Sequence, residues 1–448
     1  MYKTFVRNFF RYGTRRKTLE YLAVLEKTQW LSREEIAKIQ RQRLKALITY
    51  AYSRVPYYHR IFKLRGLKPD DIRSENDLSK LPILTKDEIR MNFGDLIAVD
   101  FPKKEIVASS SGGSTGQPLS FYRTRESGNW SSAAELRAYG WSGFKFGDKQ
   151  ALIWGSPIDL SNWDSLRGRV WNSVTRTLIL DAGSMSENSM RKFAQKLAWF
   201  KPKAIRGYAS GVYIFAKFLE SQGINLEPDA VITSAEMLFP QERTKIEDVF
   251  RCNVYDFYGS REVPSIASEC SEKCGYHISS ENVLLEFVKD HEEVASNETG
   301  DILVTDLTNY AMPFIRYRNE DLGKPLDEFC PCGRGLPLMR SLEGRITDVT
   351  VTHDGRSISS LVFFHFFQDL QHVKEFQIIQ ESCEKINVKI VKRSQYSEED
   401  SNYITNRMKK IVGEDTQINI EYVDSIPPTK SGKRRVVISH QSSRAALE

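Results

Sequence analysis

Several short stretches of this chain combine residue types that handle phosphate, metal ions or carboxylates. Ser109 to Pro118 reads SSSGGSTGQP. Glycines let a backbone approach a ligand closely, and neighbouring N–H and hydroxyl groups can donate to phosphate oxygens. The Gly-Lys-Ser/Thr ending of a Walker A loop is missing. Further on, Tyr258 to Glu262 reads YGSRE and Arg316 to Gly323 reads RYRNEDLG; Gly344 to Asp348 reads GRITD and Ile426 to Arg434 reads IPPTKSGKR. Each motif is short, but their order and spacing together are specific. A second constellation is made of cysteines. Cys270 and Cys274 are followed closely by His277, and Cys330 and Cys332 come later in CPCG. Clustered thiolates with a nearby imidazole suit tetrahedral zinc.

The elements that must position these residues follow from periodicity. Glu105 to Ser109 and Leu119 to Thr124 read as strands flanking the Ser/Gly loop. Met190, Phe193, Ala194, Leu197 and Ala198 make one helix face. Strands are predicted at Ala204-Ile205, Ala230 to Thr233 and Val254 to Phe257, with helices at Ser210 to Gln222 and Gln241 to Phe250. That alternation predicts an α/β layered domain with a largely parallel sheet. Beyond about residue 348 a small α+β unit is predicted: strands at Phe376 to Gln380, Ile386 to Val391 and Ile418 to Val423, and a helix near 398 to 412. Residues 1 to 100 read as helical, with Ser32 an N-cap before Arg33-Glu34-Glu35.

At 448 residues, 40% apolar and 27% charged, the chain has a globular composition and is long enough for a large core. Mean hydropathy is −0.43, and no apolar run approaches the roughly 20 residues that span a bilayer. No secretory leader is visible, because Arg7 and Arg11 interrupt any apolar segment. A cytoplasmic location follows as the expectation. Of the net charge of +6, the first 50 residues carry an excess, with twelve Lys and Arg against four Glu. Tyr2, Phe5, Val6, Phe9 and Phe10 share one face of a helix and Lys3, Arg7 and Arg11 lie off it. Residues 1 to 17 therefore suit either the inner face of an anionic membrane or the protein's own body. No basic stripe across the folded body marks a nucleic-acid binder.

Taken together, the motifs resemble those of the adenylate-forming ligases, the acyl-CoA synthetase superfamily. The resemblance is closest to the phenylacetate–CoA ligase branch and, within it, to CapK-like proteins of capsule and polysaccharide synthesis. It runs from about residue 40 to 440 and includes Tyr50 to Tyr58 (YAYSRVPYY), Gly344 to Gly355 (GRITDVTVTHDG) and Phe376 to Gln380 (FQIIQ). It implies a large ligase domain, its AMP-binding core at 101 to 347, and a small mobile C-terminal domain at 348 to 440.

The resemblance also implies roles. Ser111, Gly112, Gly113, Ser114, Thr115 and Gly116 would hold the ATP β- and γ-phosphates. Ser234, Ala235 and Glu236 would line the adenine pocket. Tyr258, followed by Gly259 and Ser260, would stack on adenine. Glu262 would hold Mg2+, a task suited to a hard carboxylate oxygen. Asp321 would accept from the ribose hydroxyls, Arg345 would lie near the nucleotide, and Asp348 would be the hinge. Lys433 would bind the attacking carboxylate and the α-phosphate. Trp154, Gly155, Tyr208 and Ala209, with Ser234, fall where this branch builds its acid pocket. Some members carry a zinc, and that mapping gives Cys270, His277, Cys330 and Cys332, with Cys274 as an alternative ligand. Four protein ligands make such a site structural.

Two positions depart from the pattern. Asn319-Glu320 stands where Thr-Gly usually precedes the ribose aspartate. Asp354 to Arg356 follows the CapK-like sequence in a region that helps form the pantetheine tunnel. The expectation is an ATP-dependent ligase that adenylates a carboxylic acid and passes the acyl group to CoA. Transfer to an amine, sugar or carrier protein, and a non-catalytic scaffold in polysaccharide assembly, stand as alternatives; a second copy of the chain, in a dimer, is among the expected partners.

Overall fold

A computed structural model describes residues 16–111, 119–155, 157–182, 185–345, 349–353, 357–359, 362–363, 366–367, 370–427 and 435–440. The described residues divide into two compact units. One runs to Asn319 and takes in Lys324–Ser341; the other takes Glu320–Gly323 and the described residues from Leu342 onward.

The first unit begins with helices α1 (Arg16–Thr28), α2 (Arg33–Arg54), α3 (Pro56–Leu64) and α4 (Lys86–Met91). Ser32 caps α2 through a reciprocal box with Glu35, as its sequence predicts. Pro56 cannot continue α2 and instead opens α3. Strands β1 (Ile106–Ser110) and β2 (Ser120–Thr124) pair antiparallel around the Ser/Gly loop, and α5 (Arg125–Trp141) follows.

The central sheet has five parallel strands: β3 (Gln150–Trp154), β4 (Thr177–Asp181), β5 (Ala204–Tyr208), β6 (Ala230–Ser234) and β7 (Asn253–Tyr258). Helices α6 (Pro157–Asp164) and α7 (Leu166–Val174) connect β3 to β4; α8 (Glu187–Phe200), α9 (Ala209–Ser221) and α10 (Pro240–Phe250) make the later crossovers. Ile153, Phe193, Ile205, Phe215, Val231 and Phe250 form the core between this sheet and its helices.

The same sheet continues through β8 (Ala267–Glu269), β9 (Tyr276–Ile278), β10 (Val283–Lys289), β11 (Glu292–Glu293), β12 (Gly300–Asp306), β13 (Tyr317–Leu326) and β14 (Leu338–Arg345). Its twelve strands run in the order β11-β10-β12-β13-β14-β9-β8-β7-β6-β5-β3-β4. The sequence predicts a largely parallel sheet, whereas β7–β8, β8–β9, β9–β14 and β10–β12 are antiparallel. The links from β7 to β8, β8 to β9 and β10 to β12 are too short to hold the crossover helix that a parallel return needs.

In the second unit β15 (Val349–Val351) and β16 (Ser357–Ser359) form a ribbon. A four-stranded sheet holds β17 (Val373–Ser382), β18 (Lys385–Lys392), β19 (Gln417–Tyr422) and β20 (Val437–Ser439) in the order β19-β18-β17-β20. Helix α11 (Glu398–Val412) covers it, burying Ile404, Met408 and Val412 against Ile378, Ile386 and Val388. Among the described residues, no helix is long and apolar enough to cross a membrane.

Candidate active site and metal centre

Parallel strands end at one edge of their sheet, where ligands of α/β proteins commonly sit. Four of the residues singled out by the sequence end such strands: Trp154 on β3, Tyr208 on β5, Ser234 on β6 and Tyr258 on β7. The Trp154 and Tyr208 rings lie 4.7 Å apart, with Gly155 and Ala209 buried beside them. Burial pushes the Tyr208 phenol well above its ordinary range, and the carboxylates of Glu236 and Asp159 push it further. It therefore keeps its proton at neutral pH and can donate a hydrogen bond.

Ala235 takes a left-handed φ of 70° where the chain turns away from β6. Glu236 accepts the backbone N–H of Ser210 at 3.0 Å, satisfying a donor in the first turn of α9. Past β7, Gly259 is obligatory: a Cβ there would stand 2.0 Å from the Pro264 carbonyl oxygen. Ser260 closes the turn, its N–H donating to the Val263 carbonyl and its hydroxyl accepting from the Val263 N–H. The turn delivers Glu262 to a buried position, where the Tyr317 hydroxyl donates to its Oε1 at 3.1 Å. Asn319 donates to the Tyr258 hydroxyl at 2.6 Å.

Tyr317, Asn319, Asp159 and Arg261 are neighbours of these residues to which the sequence assigns no role. Arg261 lies within YGSRE, and Asn319 stands two residues before Asp321; Asp159, in α6, carries no motif. Ser111 ties the base of the Ser/Gly loop, exchanging hydrogen bonds with Leu119 at 2.9 Å through its N–H and its hydroxyl. Gly112, Gly113, Ser114, Thr115, Gly116, Asp348 and Lys433 lie outside the described residues. Arg345 ends β14, with its side chain outside them too. Asp321 is on β13, in the four residues that group with the second unit.

The sulfur and imidazole ligands converge within the first unit. Cys270 follows β8, His277 is on β9, and Cys330 and Cys332 lie in the turn between β13 and β14. Their ligand atoms all lie within 4.8 Å of one another. Cys270 Sγ is 3.6 Å from Cys330 Sγ, and Cys332 Sγ is 3.4 Å from His277 Nε2. A tetrahedral zinc with Zn–S near 2.3 Å separates its sulfurs by about 3.8 Å, so the spacing fits. Burial, aided by the Arg334 charge, lowers His277 to about 4, leaving the neutral imidazole that binds metal. Cys274 lies outside the quartet and its thiol faces the Glu272 carbonyl. Zinc here would tie the β13–β14 turn to the β8–β9 hairpin and leave no open coordination position.

A family model described as the CapK C-terminal domain matches residues 350–440. The chain is 32% identical over 343 residues to the phenylacetate-coenzyme A ligase of Escherichia coli (strain K12), covering 73% of this chain and 75% of the relative. To the ligase of the same name from Aromatoleum evansii it is 30% identical over 339 residues, with 73% and 74% covered. Protein CapK of Staphylococcus aureus is 24% identical over 424 residues, 91% and 90% of the two chains. Among solved structures, 2-hydroxyisobutyryl-CoA ligase in its postadenylation state superposes with a TM-score of 0.73 at 21% identity, over 94% of this chain and 93% of that one. That likeness is one of fold. With relatives of this identity aligned over most of its length, the chain belongs to the phenylacetate–coenzyme A ligase family of adenylate-forming acid–thiol ligases.

Proposed function

We propose that this protein activates a carboxylic acid with ATP, releasing pyrophosphate, and passes the acyl group from the acyl-adenylate to the thiol of CoA. The observation that carries this reading is Glu262. Its carboxylate is buried, accepts the Tyr317 hydroxyl at 3.1 Å and follows the strand-end Tyr258 within YGSRE, where the ligase resemblance puts the Mg2+ ligand.

In this reading Ser111 and the loop to Gly116 hold the terminal phosphates. Tyr258 stacks on adenine with Ser234, Ala235 and Glu236 around it, and Asp321 takes the ribose hydroxyls. Glu262 would hold Mg2+, whose charge would offset that of the phosphates. Lys433 draws the acid carboxylate and the α-phosphate together, and Arg345 lies near the nucleotide. Trp154, Gly155, Tyr208 and Ala209 line the acid pocket. Turning the C-terminal domain (348–440) about Asp348 would withdraw Lys433 for the thiol step. Zinc at Cys270, His277, Cys330 and Cys332 is structural. A role in capsule or polysaccharide synthesis is supported by the CapK likenesses. Contact of residues 1–17 with anionic lipid is tested by vesicle flotation of the chain with and without them.

ATP–pyrophosphate exchange with a panel of acids tests adenylation. Acid-dependent exchange that is lost in Lys433→Ala is expected. Absence of both exchange and ATP binding would overturn the reading in favour of a scaffold.

A further inference from the structure

Asp159 and Arg261 are 102 positions apart in sequence and meet at the edge of the parallel strands. Arg261 Nη2 lies 2.6 Å from Asp159 Oδ2. The Trp154 indole N–H donates to the same oxygen at 2.8 Å. Trp154 in turn leans on Tyr208 at 56°. The charges of Glu236, Asp159 and Arg261 all act on the Tyr208 hydroxyl. Two aromatic rings and a charged pair therefore lie side by side at the strand ends.

The pair is not sealed into the core, since the Arg261 and Asp159 side chains keep 38% and 20% of their exposure. An ion pair this open adds at most about 1 kcal/mol to stability, which is a weak reason to place it beside the pocket aromatics. It does matter to a bound acyl group. An unsubstituted hydrocarbon seated against this wall strips water from the pair and gives back no hydrogen bond. A ring bearing hydroxyl groups lays its face on Trp154 and Tyr208 and replaces that water.

On the adenylation reading above, we infer that Asp159 and Arg261 are a specificity-determining pair that selects acids whose ring carries hydroxyl groups over unsubstituted aryl acids. Hydroxyaryl acids and sugar acids share this chemistry.

The test measures kcat/KM in ATP–pyrophosphate exchange by the full chain with phenylacetate, 4-hydroxyphenylacetate and glucuronate. At least one hydroxylated acid is expected to exceed phenylacetate by about tenfold or more, the value of one well-made hydrogen bond. Which one leads separates the hydroxyaryl from the sugar-acid source. Arg261→Met and Asp159→Asn should each shrink that ratio several-fold through the KM for the acid, with the KM for ATP little changed. A wild-type enzyme that uses phenylacetate as well as or better than both others overturns the inference and leaves adenylation standing. A ratio unmoved in both variants overturns the role of the pair. Exchange with none of the three overturns the inference, and only loss of ATP binding as well overturns the adenylation reading.

Discussion

The side-chain amide of Asn319 donates to the hydroxyl of Tyr258 across 2.6 Å. The bond joins the strand that carries Asp321 to the ring proposed to stack on adenine. Asn319 occupies a position where the ligases this chain resembles usually carry threonine, so the departure has its own task. On the proposed reading it would hold the Tyr258 ring ready for adenine, and preorganised surfaces lose less on binding. Asn319→Ala should raise the KM for ATP about fivefold to tenfold, the equivalent of a neutral hydrogen bond near 1 kcal/mol. The kcat should change less. Steady-state kinetics at saturating acid measures both, and an unchanged KM for ATP would remove this role.

Tyr317 and Glu262 make a second such pair. The Tyr317 ring is fully buried, and its hydroxyl holds Glu262 Oε1 at 3.1 Å. Tyr317→Phe keeps the ring and deletes only the donor. The carboxylate then loses its orientation without losing its charge. The Mg2+ concentration giving half-maximal exchange should rise a few-fold in Tyr317→Phe, while Glu262→Gln should lower kcat by about 100-fold or more. A magnesium titration of both variants decides. Identical magnesium curves for Tyr317→Phe and wild type would mean that the hydroxyl merely fills space.

Much of the parallel core is legible in the sequence because its signals are local. Apolar runs such as Ala230 to Ser234 sit between helices with clear 3.6-residue faces, and α11 falls at 398–412, where the sequence places a helix. Helix α5 is illegible for a physical reason. Its buried face includes Ser127 and Arg137, whose side chains meet Thr308 and Glu281 from outside the pattern. Polar residues at core positions hide amphipathicity. The strands beyond β7 are legible only in part, since their pairings are set at long range. The metal quartet shows the difference. Cys270 and His277 are neighbours in sequence, but Cys330 and Cys332 reach them because Leu338 on β14 pairs with His277 on β9. The Asp159–Arg261 contact likewise depends on which strand ends lie side by side, and no spacing rule foretells it.

The quartet makes a prediction of its own. Its thiols and imidazole lie around a space sized for zinc, and they fasten a turn whose Gly335 N–H also bonds the Gln29 carbonyl at 3.0 Å. Metal binding at such a site is coupled to the stability of the fold. Protein purified without chelator should hold one zinc per chain. Stripping the metal, or Cys330→Ser, should lower Tm by roughly 5 °C while leaving the KM for ATP within about twofold. Elemental analysis with thermal unfolding tests this. Zinc loss that abolished exchange without lowering Tm would contradict a structural role.

Glu242 ties stability to pH. It lies in the first turn of α10, almost fully buried, and accepts the Phe239 N–H at 3.3 Å. Burial pushes its carboxyl up to about 8, with the charge of nearby Glu236 adding to the rise. The folded protein thus holds this proton more tightly than the unfolded chain, whose glutamate releases it near 4.5. The stabilisation from the bound proton is complete below the unfolded value and is lost as pH rises from there through about 8. Glu242→Gln keeps the acceptor oxygen and has no proton to lose. Its Tm relative to wild type should therefore increase between pH 6 and pH 9, by an amount corresponding to roughly 2–3 kcal/mol. Taking the difference between the two proteins cancels other titrating groups, including Asp256, which burial and Glu269 raise to about 6. A difference in Tm that stays flat from pH 6 to pH 9 would show that Glu242 ionises in the folded protein as it does in the unfolded chain.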